Sequence, residues 1–118
     1  MKYKVIRIKE PLGNLPWDEI LAVSAMSLEE RRTHYSTEFI VEAETPFDAA
    51  VSAEGTANGY TADQMDEDRG EARTRREQIE DRLLHYSESP KYGLRRTDGG
   101  ISYSFDHIST NGLIVYEL

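Results

Sequence analysis

The segment Lys2-Tyr3-Lys4-Val5-Ile6-Arg7-Ile8-Lys9 is rich in Val, Ile and Tyr and predicts a strand. Pro11, Gly13 and Asn14 predict the turn that follows. Asn14 is placed to cap a helix, and Pro16 falls in its first turn, where a missing N–H costs nothing. Trp17, Ile20, Leu21 and Ser24 recur at helical spacing, so a short amphipathic helix is expected over residues 16–25. Ser27-Leu28-Glu29-Glu30 has the form of a capping box and predicts a restart or a kinked continuation.

From Tyr35 to Ala43 the pattern changes to strict alternation. Tyr35, Thr37, Phe39, Val41 and Ala43 share one face, and Ser36, Glu38, Ile40 and Glu42 share the other, which predicts a half-buried strand with an acidic outer face. Thr45-Pro46-Phe47-Asp48 caps a short helix whose end is expected at Gly55. Thr61-Ala62-Asp63-Gln64 is another capping box and opens what reads as the longest helix, over residues 62–87. The pair Glu71 and Arg75 has the favourable order for support along that helix. Pro90 closes the segment, and residues 92–118 read as a three-stranded meander with turns at Thr97-Asp98-Gly99-Gly100 and Asn111-Gly112.

These elements predict one α+β domain over residues 1–118, a mostly antiparallel sheet of about five strands with helices packed on one face, in the order β-α-β-α-α-β-β-β. A chain of 118 residues has no room for two independent cores. No stretch approaches the roughly 20 apolar residues of a membrane span, and the start of the chain does not read as a signal peptide. Cysteine is absent, which removes disulfides, thiolate metal sites and thiol nucleophiles and fits a reducing, cytoplasmic setting.

Charge sharpens the picture. The formal net charge is −8, and the excess sits in one central block. Residues 36–72 contain Glu38, Glu42, Glu44, Asp48, Glu54, Asp63, Asp66, Glu67, Asp68 and Glu71 against Arg69 alone. Such a block is either a solvated face that aids solubility or a patch that meets a basic partner.

The common catalytic motifs are missing: nucleophile elbow, phosphate-binding loop, dinucleotide fingerprint and paired-histidine metal signature. His34, His85 and His107 lie far apart in sequence, so spacing gives no metal or acid–base pair. The segment from Asp66 to Glu71 has a superficial likeness to a calcium loop. Gly70 is the fifth residue of it where the pattern requires the sixth, and a helix there would disperse the ligands. Met65, Ala72, Ile79, Leu83 and Tyr86 form a near-heptad stripe, but Arg69 and Arg76 interrupt it, which favours packing on the sheet over a dimer seam. Arg95 and Arg96 beside Tyr103 and Phe105 suggest stacking on nucleic acid, but alternation turns the aromatics to the core and the net charge opposes phosphate binding.

The run Phe39-Ile40-Val41-Glu42-Ala43-Glu44-Thr45-Pro46-Phe47-Asp48-Ala49-Ala50-Val51 resembles a segment of small acidic phage and mobile-element proteins, in which a strand enters a Thr/Ser-Pro-capped, Ala-rich helix. The resemblance covers this short stretch alone. It implies an inhibitor of the anti-CRISPR or related anti-defence kind and transfers no functional residue.

The expectation is therefore a non-enzymatic inhibitor, without cofactor or metal, that places an acidic surface in the basic, nucleic-acid-binding site of a partner protein. Glu38, Glu42 and Glu44 on the strand, with Asp63, Asp66, Glu67 and Asp68 at the helix start, are the candidate contact residues. Alternate strand residues lie about 6.7 Å apart, whereas one DNA strand carries a charge per about 3.4 Å, so only partial mimicry is expected. Direct nucleic-acid and membrane contacts are not expected, and the state is monomer or homodimer. The alternatives are an oligomerising accessory protein that pairs through the long helix, and a small enzyme using His85 or His107.

Overall fold

A computed structural model describes residues 1–10, 15–87, 99–107 and 111–118, with the backbone alone at Leu28. In these residues β1 (Lys2–Ile8) leads through α1 (Trp17–Ser24) and α2 (Leu28–His34) to β2 (Ser36–Glu42). Then follow α3 (Pro46–Ala57), α4 (Ala62–Met65), α5 (Arg75–Ser87), β3 (Ile101–Tyr103) and β4 (Gly112–Glu117). The strands form one antiparallel sheet in the order β2-β1-β4-β3. The class is α+β as expected, but the described sheet has four strands and not about five, and the element order differs. The first strand of the expected meander, with its turn at Thr97 and Asp98, lies outside the described residues, as do Pro11, Gly13, Asn14 and Pro90.

The central strand β1 organises the core because each of its faces carries buried apolar side chains. Tyr3 and Val5 pair with Val41 and Phe39 of β2 and with Glu117 and Val115 of β4. This face is covered by Ala49, Ala50, Val51 and Ala53 of α3 together with Met65, Ile79, Leu83 and Phe105. Small residues on α3 let its backbone approach the sheet closely. On the opposite face Ile6 and Ile8 meet Ile114 and Tyr116 in a smaller cluster. Helices α3, α4 and α5 all lie on the first face. Helix α1 buries no residue, and Trp17 on it is 72% exposed, so the helices are not all packed on one face.

The local start signals act as written. The Glu30 N–H donates to Ser27 Oγ at 3.1 Å, and the Asp48 N–H donates to Thr45 Oγ1 at 3.1 Å with Pro46 behind it. Thr61 and Gln64 satisfy each other's backbone N–H at 3.2 and 2.9 Å. The expected stop at Gly55 is overturned: α3 continues to Ala57, and the left-handed residue is Gly59 at φ 84°. Gly55 instead makes room for Met65, whose Sδ would lie 2.5 Å from a Cβ at that position.

The expected long helix over 62–87 is also overturned. Four residues form α4, a folded loop follows, and α5 starts afresh at Arg75. Four features break it. Asp68 accepts the Gly70 N–H at 2.9 Å, which competes with helical bonding. Gly70 takes φ 70°, which a helix cannot use, and Arg69 bridges to Ala72. Thr74 and Glu77 then form a reciprocal cap at 3.1 Å in both directions. The interrupted stripe cannot form a seam: Ile79 and Leu83 are buried in the core, and Ala72 is exposed on the loop. No helix among the described residues is long and apolar enough to cross a membrane.

Candidate functional site

The sheet separates the candidate carboxylates into two groups. Glu38 and Glu42 leave β2 on the face opposite α3, beside Ile6 and Lys2 of β1 in register. Ile40 between them is 60% exposed, and Glu44 is exposed in the link to α3. Lys4 stands opposite Ile40, so two ammonium groups on β1 dilute the negative charge of this group. β2 is also one of the two edges of the described sheet.

The second group sits across the molecule, beyond α3. Asp63, Asp66, Glu67 and Asp68 are all exposed, with Glu71 on the same loop. Met65 anchors the segment by burial in the core. The loop is fastened to α5 by a two-point pair, in which Arg76 Nε and Nη2 donate to Asp66 at 2.7 and 3.3 Å. Those hydrogen bonds hold the Asp66 carboxyl below its ordinary value and the Arg76 guanidinium above its own. Arg69 reaches the Arg73 carbonyl at 3.0 Å, and Arg73 pairs with Asp81. Two of the four candidate residues are thus occupied in building the loop: Asp66 by Arg76 and Asp68 by Gly70. Asp63 and Glu67 make no ion pair among the described residues.

One member of the acidic block is not on the surface at all. Glu54 is 1% exposed and receives Arg7 Nε at 2.7 Å, Arg82 Nη2 at 2.8 Å and Asn58 Nδ2 at 3.0 Å. Arg7 lies on the core face of β1 and stacks over Phe105, 4.9 Å from the ring centroid. A second buried acid, Glu10, holds Arg31 at 2.6 Å, and its N–H donates to Asn111 Oδ1 at 2.9 Å. The ion pairs join residues 47, 28 and 21 apart in sequence, and no local spacing announces them.

The histidines stand apart from any such cluster. His34 ends α2 edge-on to Tyr35, and His85 meets Tyr86 the same way. His107 is exposed. Partial burial first, then the carboxylates of Glu19 and Glu10, push the Tyr35 phenol up. Among the described residues no group of three His, Cys, Asp or Glu side chains could hold a metal ion. The segment from Asp66 to Glu71 is a loop and not helical as expected. Two of its carboxylates are engaged within the loop and with α5, by the Gly70 amide and by Arg76. Phe105 is buried and Tyr103 packs on Phe47, so neither is free to stack on a base; Arg95 and Arg96 lie outside the described residues.

No protein-family model matches the chain, and no curated protein or solved structure matches it either.

Proposed function

We propose that the chain is a non-enzymatic inhibitor that inserts the loop from Thr61 to Glu71 into a basic, nucleic-acid-binding site of a partner protein. The observation that supports this is the presentation of Asp63, Glu67 and Glu71. They are exposed, make no ion pair among the described residues, and sit on a segment fixed at several points. A loop held by a reciprocal cap, a buried methionine and a two-point ion pair loses little conformational entropy on binding. Carboxylates that repel one another on such a frame gain from a basic groove in both encounter rate and complementarity. The strand group offers less, because Lys2 and Lys4 stand beside it. The short anti-defence resemblance agrees with this reading in chemistry alone.

The test is capture of partners from cell lysate on immobilised protein at low and at high salt. The recovered partner is then assayed for nucleic-acid binding with the chain added. The expected result is a basic partner, released by salt, whose nucleic-acid binding the chain blocks. A partner held independently of salt, or one that binds nucleic acid and the chain together, would overturn the reading.

A further inference from the structure

We propose that this acidic chain also carries a cationic site, a cleft between the end of α3 and one face of α5 that binds a phosphoryl group, free or on a small ester. The cleft is lined by Asn58, Tyr60, Arg75, Gln78, Ile79 and Arg82. Its volume of about 90 Å³ lies below the roughly 300–1,000 Å³ of pockets for drug-sized ligands, so it suits a small group. Arg75, Gln78 and Arg82 recur at helical spacing and so project from one face of α5.

The charge in the cleft is unbalanced. Arg75 and Arg82 bring two guanidiniums, and among the described residues Glu54, which also takes Arg7, is the one carboxylate paired with either of them. Arg82 gives Nη2 to Glu54, and its Nε is buried without a partner among the described residues. Arg75 stacks on Tyr60 with its guanidinium 4.8 Å from the ring centroid and makes no ion pair among the described residues. It also stands with Arg76 in the first turn of α5, where the helix dipole disfavours cations. Asp66 neutralises Arg76, and Arg73 has Asp81, so Arg75 is the member of this basic run left uncompensated.

Guanidinium donors match the oxygens of a phosphoryl group in geometry, and a dianion gains from two of them at once. The Gln78 side chain is exposed on the same face and supplies a neutral donor. The net charge of −8 over the whole chain repels an extended polyanion, which restricts the ligand to a small one. This site is independent of the acidic loop and of the inhibitor reading.

The test is calorimetric titration of the full chain at constant ionic strength with inorganic phosphate, phosphoserine and acetate. Saturable binding of phosphate or phosphoserine is expected at about 1 mM or tighter, with acetate at least about tenfold weaker. Binding of both phosphates indicates a terminal phosphoryl ligand, and binding of inorganic phosphate alone indicates a free anion; both outcomes support the site. Arg75→Gln should weaken binding at least about tenfold and leave the melting temperature in chloride buffer unchanged. Gln78→Leu, which fills the cleft from an exposed position, gives the same loss by a route that does not depend on the folding of the first variant. Heats indistinguishable from chloride dilution, or an unchanged affinity in both variants, would overturn the proposal.

Discussion

Glu54 and Arg7 are 47 residues apart in sequence and meet as two forks, with Arg7 Nε on Oε2 at 2.7 Å and Nη2 on Oε1 at 3.3 Å. The pair ties the first strand to α3 across the core face, and Arg82 brings α5 to the same carboxylate. Removing one partner of a buried pair leaves an uncompensated charge, which costs about 3–5 kcal/mol. Arg7 is 14% exposed at its side chain, so water cannot fully replace Glu54. Glu54→Gln should therefore destabilise by about 3 kcal/mol in denaturant unfolding, whereas Glu38→Gln should stay within about 0.5 kcal/mol. Equal effects of the two changes would refute this account of the core.

Gly100 is needed for a close approach of chains. A Cβ there would lie 2.5 Å from Ile114 Cγ2 and 2.9 Å from the Tyr116 ring. Both neighbours are stiff, one branched at Cβ and one a ring, and both belong to the cluster on the second sheet face. Gly100→Ala is expected to cost about 1–3 kcal/mol, the usual range for overpacking. At Gly55 the neighbour is the flexible end of Met65, and a helical alanine gains about 1 kcal/mol over glycine. Gly55→Ala should therefore be the milder of the two in a thermal melt.

Local signals in the sequence were legible where a single backbone interaction decides the outcome. Ser27 and Thr45 cap helices that their patterns predict, Thr61 forms its capping box but opens one short turn of helix and not the long helix expected, and the alternation from Ser36 to Glu42 gives the faces of β2 correctly. The break at Gly70 was missed because the charged run around it reads as continuous helix; the signal that could have shown it is the capping-box form of Thr74 and Glu77. Glu54 was the misleading residue. Counted as one more acid of the acidic block, it takes two arginines in the core, and only the tertiary meeting of Arg7 and Arg82 reveals that. The same holds for the division of the acids into two groups, because sequence gives neighbours along the chain and not the sheet that lies between them.

The loop fastening should show in acid. Asp66 is held below its ordinary pKa by hydrogen bonds from Arg76, and Glu77 by the Thr74 N–H and hydroxyl. A depressed folded pKa gives stability that is present above the unfolded value, about 3.9 for Asp and 4.3 for Glu, and is lost as pH falls through the folded value. The melting temperature of wild type should exceed that of Asp66→Asn near neutrality, and the gap should close as pH drops below about 4. A gap that is constant across the acid range would show that the carboxylate charge at this position does not stabilise the fold.

The two acidic groups can be separated by charge removal. One variant carries Asp63→Asn, Glu67→Gln and Glu71→Gln in the loop, sparing Asp66 and Asp68, which hold it. The other carries Glu38→Gln, Glu42→Gln and Glu44→Gln on the strand side. All six residues are exposed, so each variant should fold with stability within about 0.5 kcal/mol per substitution. Against the partner recovered from lysate, the loop variant should bind at least about tenfold more weakly, equivalent to about 1.4 kcal/mol. The strand variant should lose less, because Lys2 and Lys4 already offset its carboxylates. The difference should be largest at low salt and should shrink as the Debye length falls toward about 8 Å at physiological ionic strength. A larger loss in the strand variant would move the interface to the outer sheet face, where Ile40 stands exposed between Glu38 and Glu42. Full binding by both variants, with no response to salt, would leave the acidic block as a solvated face and remove the support for inhibition by charge.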